Sequence, residues 1–246
     1  MNNLELFIEA FNKVRNLGYH RTHRIGNTGI GKTFEDLLGV AENNLKEPDL
    51  HGFEVKSQRA LSSSYVTLFT KSPTMPKSAN TMLRENYGSY DSKYPDLKVL
   101  HASIFSTRDS QHKSGYKFTL NLDDDSQRLY LIVKKDWLIE NSETYWSYEV
   151  LRKTMEKKLT NLVFAKVETR QTNGEEEFYF DKATIYSGFL GVDNFLDLLS
   201  RGEIMFDIRV GVYKTGPNRG KTHDHGSGFR IKRDNLKLLY QDFEVI

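Results

Sequence analysis

A mixed α+β (α/β) fold is predicted for this chain by three features of its sequence. Apolar residues recur at helical spacing near the start, at Leu4, Phe7, Ile8, Phe11 and Val14. From Phe53 onward, apolar residues mostly alternate with polar ones, the period of half-buried strands. A length of 246 residues, with 38% hydrophobic and 12% aromatic residues, allows a sizeable core and excludes a disordered chain.

The elements follow in order. The first helix is closed by Gly18. The polar, glycine-containing stretch 20–32 reads as irregular, Asn27-Thr28-Gly29-Ile30-Gly31 above all. A second helix is expected over 33–45, with Phe34, Leu37, Leu38, Ala41 and Leu45 on its buried stripe. Phe53-Glu54-Val55-Lys56 and Tyr65–Thr70 alternate as strands, and Pro73 and Pro76 lie in a loop. Further strands are expected at 101–106, 116–122 and 128–134, with Asp123-Asp124-Asp125 as an acidic turn. A helix over 149–158, strands at 162–167 and 178–185 and a helix over 193–200 come next. Strands at 204–213 and 228–232, a Gly-rich connection between them and a helix at 235–240 complete the series. No internal repeat, low-complexity segment or linker forces a domain split.

Composition narrows the function. No apolar run reaches the length of a membrane span, and Met1-Asn2-Asn3-Leu4-Glu5 lacks the cationic start of a secretory signal, so a cytoplasmic protein is expected. The absence of cysteine excludes disulfides, zinc ribbons and thiol catalysis. The 35 Lys and Arg nearly balance the 33 Asp and Glu, but their distribution is uneven. Between 208 and 237 stand Arg209, Lys214, Arg219, Lys221, Arg230, Lys232, Arg233 and Lys237 against only Asp224 and Asp234. Such a local excess suits a polyphosphate partner, or a solvated basic surface.

Two constellations carry chemistry. The first is Pro48-Asp49 followed by Glu54-Val55-Lys56. The strand period puts Glu54 and Lys56 on one face and turns Phe53 and Val55 to the core. Asp49, entering behind a proline, and Glu54 offer the carboxylate oxygens that a hard cation such as Mg²⁺ prefers. A lysine beside them can orient the attacking water and offset phosphate charge. An ordinary solvated hairpin would carry the same residues. Pro95-Asp96-Leu97-Lys98 is set aside because it lacks the second acid. Glu35 sits at the shoulder of the second helix, near its expected N-terminus, where the dipole alone also favours a carboxylate.

The second constellation is Asp207, Arg209 and Arg230. Alternation in the strands 204–213 and 228–232 turns Phe206, Ile208, Val210, Val212, Phe229 and Ile231 inward and these three outward. If the strands pair, they form one polar surface. Arginine donates two parallel hydrogen bonds to guanine O6 and N7, and aspartate accepts from cytosine N4. A cross-strand ion pair of little energetic consequence is the other reading. The intervening loop carries Lys221, His223, Asp224 and His225. His223-x-His225 could instead ligate a metal, but with no cysteine and no further histidine nearby it makes a poor zinc motif.

Longer segments carry a resemblance. Gly26-Asn27-Thr28-Gly29-Ile30-Gly31-Lys32-Thr33-Phe34-Glu35-Asp36-Leu37-Leu38 precedes the acidic pair. Leu68-Phe69-Thr70-Lys71-Ser72-Pro73 and Ala79-Asn80-Thr81-Met82-Leu83-Arg84 follow it. Asp207-Ile208-Arg209, Gly220-Lys221-Thr222-His223-Asp224-His225-Gly226 and Phe229-Arg230-Ile231 stand near the end. With Pro48-Asp49-x4-Glu54-x-Lys56, the spacing of the PD-(D/E)xK nucleases, they resemble the MvaI/BcnI family of type II restriction endonucleases over nearly the whole chain. That family is similar in fold to the mismatch-repair nicking enzyme MutH.

The resemblance implies a PD-(D/E)xK restriction-endonuclease-like core of the MutH type, with two lobes around a DNA cleft. The catalytic lobe would cover roughly 1–105 plus parts of the middle, and the DNA-recognition lobe roughly 170–246. Asp49, Glu54 and Lys56 match the family's catalytic triad, with Asp49 and Glu54 holding Mg²⁺, and Glu35 matches an extra helical carboxylate near the metal. Asp207, Arg209 and Arg230 match residues that contact bases in the major groove. Lys221, His223, Asp224 and His225 fall in the recognition lobe. A monomer is implied that cuts double-stranded DNA at a short pseudosymmetric site with G·C pairs on each side of its centre, 5′-CCWGG in MvaI-like members, nicking each strand in turn. No protein partner is required, and a cognate DNA methyltransferase belongs to the same restriction–modification system. A MutH-like strand-nicking repair endonuclease and a catalytically silent DNA-binding protein are the alternatives.

Overall fold

The structure is a computed structural model that describes residues 2–26, 28–40, 50–60 and 65–246. It opens with α1 (Asn3–Asn16), which buries Phe7, Phe11 and Val14 of the predicted stripe. Asn2 caps it reciprocally: its side chain accepts from the Glu5 N–H (2.9 Å), and the Glu5 carboxylate takes the Asn2 N–H (3.0 Å). After β1 (His20–Arg21) comes α2 (Gly29–Leu37).

Helix α2 starts inside the stretch expected to be irregular. A Cβ at Gly29 would stand 2.1 Å from the Arg24 carbonyl, so glycine here lets the preceding loop lie against the first turn instead of breaking the helix. Thr33, fully buried, accepts the His23 N–H (2.9 Å) and ties the same loop down. The expected continuation through Ala41 and Leu45 lies outside the described residues, as does Asp49.

The chain continues through β2 (Glu54–Arg59), β3 (Tyr65–Thr70), α3 (Ala79–Tyr87), β4 (Ser89–Tyr90), β5 (Lys98–Ile104) and β6 (Ser110–Gln111). Next come β7 (Lys117–Asp123), β8 (Arg128–Lys135), β9 (Leu138–Ser147), α4 (Tyr148–Lys158), β10 (Leu162–Thr172) and β11 (Glu175–Phe189). It ends with α5 (Gly191–Ser200), β12 (Ile204–Val212), β13 (Thr222–Asp224), β14 (Gly228–Lys232), a 3₁₀ turn (Arg233–Leu239) and β15 (Tyr240–Val245). The helix expected at 235–240 is thus a 3₁₀ turn running into a strand.

These elements gather into two compact units, each drawn from separated segments. The first comprises Met1–Ser64, Met155–Leu190 and Arg233–Ile246; the second comprises Tyr65–Thr154 and Gly191–Lys232. Strand pairing accounts for the division. Tyr65–Thr70 joins the second unit because β3 pairs with β14, whereas β11 and β15 join the first because they pair with each other.

In the first unit the sheet order is β1-β11-β10-β2, with β15 also on β11. Strand β2 runs parallel to β10, in the register Glu54↔Leu162 and Lys56↔Phe164. Phe53 and Val55 point into a core shared with Phe7, Phe11, Phe34, Val163, Phe178 and Phe180. Phe34 stacks on Phe180 at 4.6 Å, which seats α2 on the sheet.

In the second unit one sheet runs β3-β14-β12-β5-β4 with β13 on β12, and another runs β6-β7-β8-β9. Its core is aromatic. Trp146 of β9 meets Phe206 (4.6 Å) and Phe229 (5.4 Å), and Phe195 of α5 meets Phe69 (5.7 Å) and Phe229 (5.4 Å). The Trp146 indole N–H donates to the Lys71 carbonyl (2.9 Å), so its polar end is satisfied in the interior.

Candidate functional site

A tight turn leads into the strand that carries Glu54. Leu50 and Phe53 exchange backbone hydrogen bonds, with His51 (φ 49°) and Gly52 (φ 83°) at the corner in the left-handed region. Glu54 follows directly as the first residue of β2, and its N–H is held by the Asn161 carbonyl (2.9 Å). Its side chain is almost buried, and each carboxylate oxygen carries a cation. Lys56 Nζ donates to Oε1 (3.0 Å) and Lys158 Nζ donates to Oε2 (2.9 Å). Glu54 and Lys56 are therefore together on one face, as alternation requires.

Lys158, at the end of α4, is a member that the sequence reading missed. Nothing in its own neighbourhood signals it; only the parallel pairing of β2 with β10, just after α4, brings it there. Tyr240 is also buried in this unit, its hydroxyl without a hydrogen-bond partner among the described residues. Burial, and then the charges of Tyr186 and Glu54, hold that hydroxyl protonated well above the usual phenol range.

Hard carboxylate oxygens fit Mg²⁺, and the two ammonium groups on Glu54 mark a position that collects positive charge. The second expected ligand, Asp49, lies outside the described residues, and among those described no three His, Asp or Glu side chains converge. Glu35 is half-buried on α2, which packs on β2. It occupies the last turn of α2 and not the first, because the helix begins earlier than expected. A favourable interaction with the helix N-terminus therefore does not explain Glu35.

The second constellation lies in the second unit. Asp207 and Arg209 are on β12 and Arg230 on the adjacent β14, antiparallel, with Asp207 opposite Gly228. The Asp207 carboxylate is buried and shared: Arg209 Nε donates to Oδ2 (2.6 Å), Arg230 Nε lies 3.1 Å from the same oxygen, and Ser103 donates to Oδ1 (3.1 Å). The Arg230 contact is an ion pair, since its geometry is not that of a hydrogen bond. Arg209 keeps about half of its side chain exposed (47%), leaving donors for a partner. The three predicted residues thus meet on one face, joined by the Asp–Arg pairing that was the other reading of their spacing.

The same face extends along β12 to an imidazole cluster. His101 of β5 is opposite Arg209, and His223 of β13 is opposite Gly211. The His223 ring stacks flat on Tyr213 (4.6 Å) and meets the His225 ring at 4.3 Å. A Cβ at Gly211 would stand 2.8 Å from His225 Nε2, so glycine makes room for that ring. Lys221 is exposed and donates to Asn218 (3.0 Å). Asp224, opposite Val210, is on the other face of β13 from His223.

Burial, then the charge of Arg209, holds His101 below the ordinary histidine value. Burial, then the neighbouring His223, does the same to His225. His101, Ser103 and Tyr213 were not singled out from sequence. His101 and Ser103 share a face by alternation within a predicted strand, which was the available signal.

Comparison with known proteins gives a consistent result. The family model described as "MvaI/BcnI restriction endonuclease family" matches residues 8–240. The solved structure "Restriction endonuclease MvaI-cognate DNA substrate complex" is 37% identical, with a TM-score of 0.91, covering 100% of this chain and 98% of that one. "Restriction endonuclease MvaI in the absence of DNA" has the same identity and coverage, with a TM-score of 0.63. No curated protein sequence matches the chain. The family match over almost the entire length, with a strand that presents Glu54 beside Lys56, leads to one assignment: the chain belongs to the MvaI/BcnI family of restriction endonucleases and is a site-specific deoxyribonuclease.

Proposed function

We propose that this protein is a Mg²⁺-dependent type II restriction endonuclease that acts as a monomer on double-stranded DNA, cutting CCWGG by nicking each strand in turn. The observation that carries the reading is the pairing of Glu54 with Lys56 at 3.0 Å on one face of β2, in a chain of this family. The relative solved as a "cognate DNA substrate complex" supports duplex DNA as substrate.

Asp49 and Glu54 would hold the ion, with Glu35 as a further carboxylate nearby. When bound, Mg²⁺ supplies a Lewis acid and lowers the pKa of a coordinated water. Lys56 orients the attacking water and offsets charge on the scissile phosphate. Lys158 places a second cation on the same carboxylate and fixes its orientation.

The unit containing β2 would carry the chemistry, and the unit containing β12 would read the sequence. Arg209 and Arg230 would donate to guanine, Asp207 would orient both guanidiniums and accept from cytosine, and His223, His225 and Lys221 would extend the surface. A cognate methyltransferase would protect the host in the same cytoplasm. Among the described residues, no helix is long and apolar enough to cross a membrane.

The test is a digest of a sequenced plasmid with Mg²⁺, followed by end mapping; ends away from CCWGG refute the target. A supercoiled plasmid with one site should pass from open circle to linear. Open circles that persist indicate a MutH-like nickase. Tight binding in Ca²⁺ with no cutting by wild type in Mg²⁺, beside a Lys56→Ala control, indicates a silent DNA-binding protein.

A further inference from the structure

We propose that Asn80 is a positioning residue for sequence readout. By holding Asp224, it fixes β13 so that His223 and His225 face the DNA, and Asp224 anchors that strand instead of contacting a base. The proposal rests on the reading of this protein as a sequence-specific endonuclease.

Helix α3 turns two polar side chains, Asn80 and Arg84, toward the interior where an apolar stripe would be expected, and both are buried. Each reaches β13. Asn80 Nδ2 donates to Asp224 Oδ2 (2.6 Å) and to Ser72 Oγ (3.2 Å). Arg84 Nη2 donates to Thr222 Oγ1 (3.3 Å), Thr81 shares a hydrogen bond with the same hydroxyl (3.0 Å), and Arg84 Nη1 donates to the Lys98 carbonyl (3.2 Å). The helix thus grips β13 at Thr222 and Asp224, alternate residues on one face. The intervening His223 is forced to the opposite face, the one shared with Arg209 and Asp207.

Asp224 has little capacity left for a base. Its Oδ1 accepts from the Gly226 N–H (3.0 Å) and the Ser227 N–H (2.7 Å), and Oδ2 takes Asn80. Three of its roughly four acceptor positions are therefore in use. The two backbone contacts shape the turn that carries His225, whose own N–H is held by the Arg209 carbonyl (2.9 Å). The Asn80 amide must present nitrogen to the carboxylate, and its oxygen is then left buried without a partner among the described residues. An apolar residue would fill this helix position without that penalty, so the Asp224 contact is the gain that offsets it.

The test compares wild type, Asn80→Ala, Asn80→Asp, Asp224→Asn and the exchanged pair Asn80→Asp/Asp224→Asn. Two readouts are used: amide hydrogen exchange at residues 225–227 in the free protein, and the ratio of binding in Ca²⁺ to target DNA against DNA with one base pair changed. Asn80→Asp should speed exchange locally and lower discrimination by about tenfold, the scale of one good base contact. The exchanged pair should restore both. The new asparagine at 224 donates to the new carboxylate at 80 and still accepts from Gly226 and Ser227.

An exchanged pair no better than either single variant overturns the proposal. So does an Asp224→Asn variant that switches the preferred base while exchange stays at the wild-type rate. A wild type that discriminates no sequence overturns the functional reading and this role with it. Slow exchange at 225–227 that depends on Asn80 would then show that the anchor exists without a readout to serve.

Discussion

Removing the Asp207 carboxylate should destabilise the second unit and blunt sequence discrimination together. Its side chain is 2% exposed and meets Arg209 at 2.6 Å and Arg230 at 3.1 Å. Asp207→Ala leaves two guanidiniums facing each other without their counter-ion. Breaking a fully buried pair costs about 3–5 kcal/mol, but a solvated surface pair is worth only about 0–1 kcal/mol. Arg230 is 20% exposed and Arg209 47% exposed, so the cost should fall between these limits, at about 2–3 kcal/mol. For a chain of this size that corresponds to a Tm lowered by roughly 4–12 °C. Thermal unfolding followed by circular dichroism measures it, with binding to target and single-substituted DNA in Ca²⁺ as the second readout. Asp207→Asn, which keeps the shape and loses the charge, should lie between. A Tm within 1–2 °C of wild type for Asp207→Ala would refute the claim that this carboxylate organises the face.

Arg209→Ala should reduce discrimination at one G·C pair by about 1–3 kcal/mol while leaving other positions unchanged; equal loss on every sequence would point to a phosphate contact. DNA affinity should fall steeply between 50 and 200 mM salt, with a slope in log–log form near the number of phosphates contacted, and a flat response would count against a cationic DNA surface. His101 and His225 have values held below the ordinary 6.5 by burial and by Arg209 and His223 respectively. The unfolded chain therefore binds protons more readily than the folded one below about pH 6.5, and stability present above that pH is lost as pH falls. His225→Gln should flatten the decline in Tm between pH 7 and 5, and an unchanged slope would show that this ring does not contribute.

What the sequence revealed depended on how local the cause was. The face shared by Glu54 and Lys56 follows from the two-residue strand period, and the meeting of Asp207, Arg209 and Arg230 follows from the same period once β12 and β14 pair. Helix α3 was not legible, because Asn80 and Arg84 occupy the positions where periodicity looks for apolar residues. Strand β9 was obscured by irregular register against β8 near Val133. Lys158 reaches Glu54 across 104 residues of chain, through a parallel pairing that leaves no mark near either residue. The sequence places the start of α2 too late because glycine ordinarily interrupts a helix, whereas at Gly29 the Arg24 carbonyl lies where any larger side chain would be. The opposite facing of His223 and Asp224 required knowing that Thr222–Asp224 is a strand at all.

Because β2 finds its neighbour only at Leu162–Val167, a chain still on the ribosome holds Glu54 and Lys56 without the strand that aligns them. The first unit also needs Tyr240–Val245, far downstream of β2, to pair with β11. A fragment that stops before Leu162 should therefore carry Glu54 and Lys56 without nuclease activity, because the neighbour that aligns their strand has yet to be made.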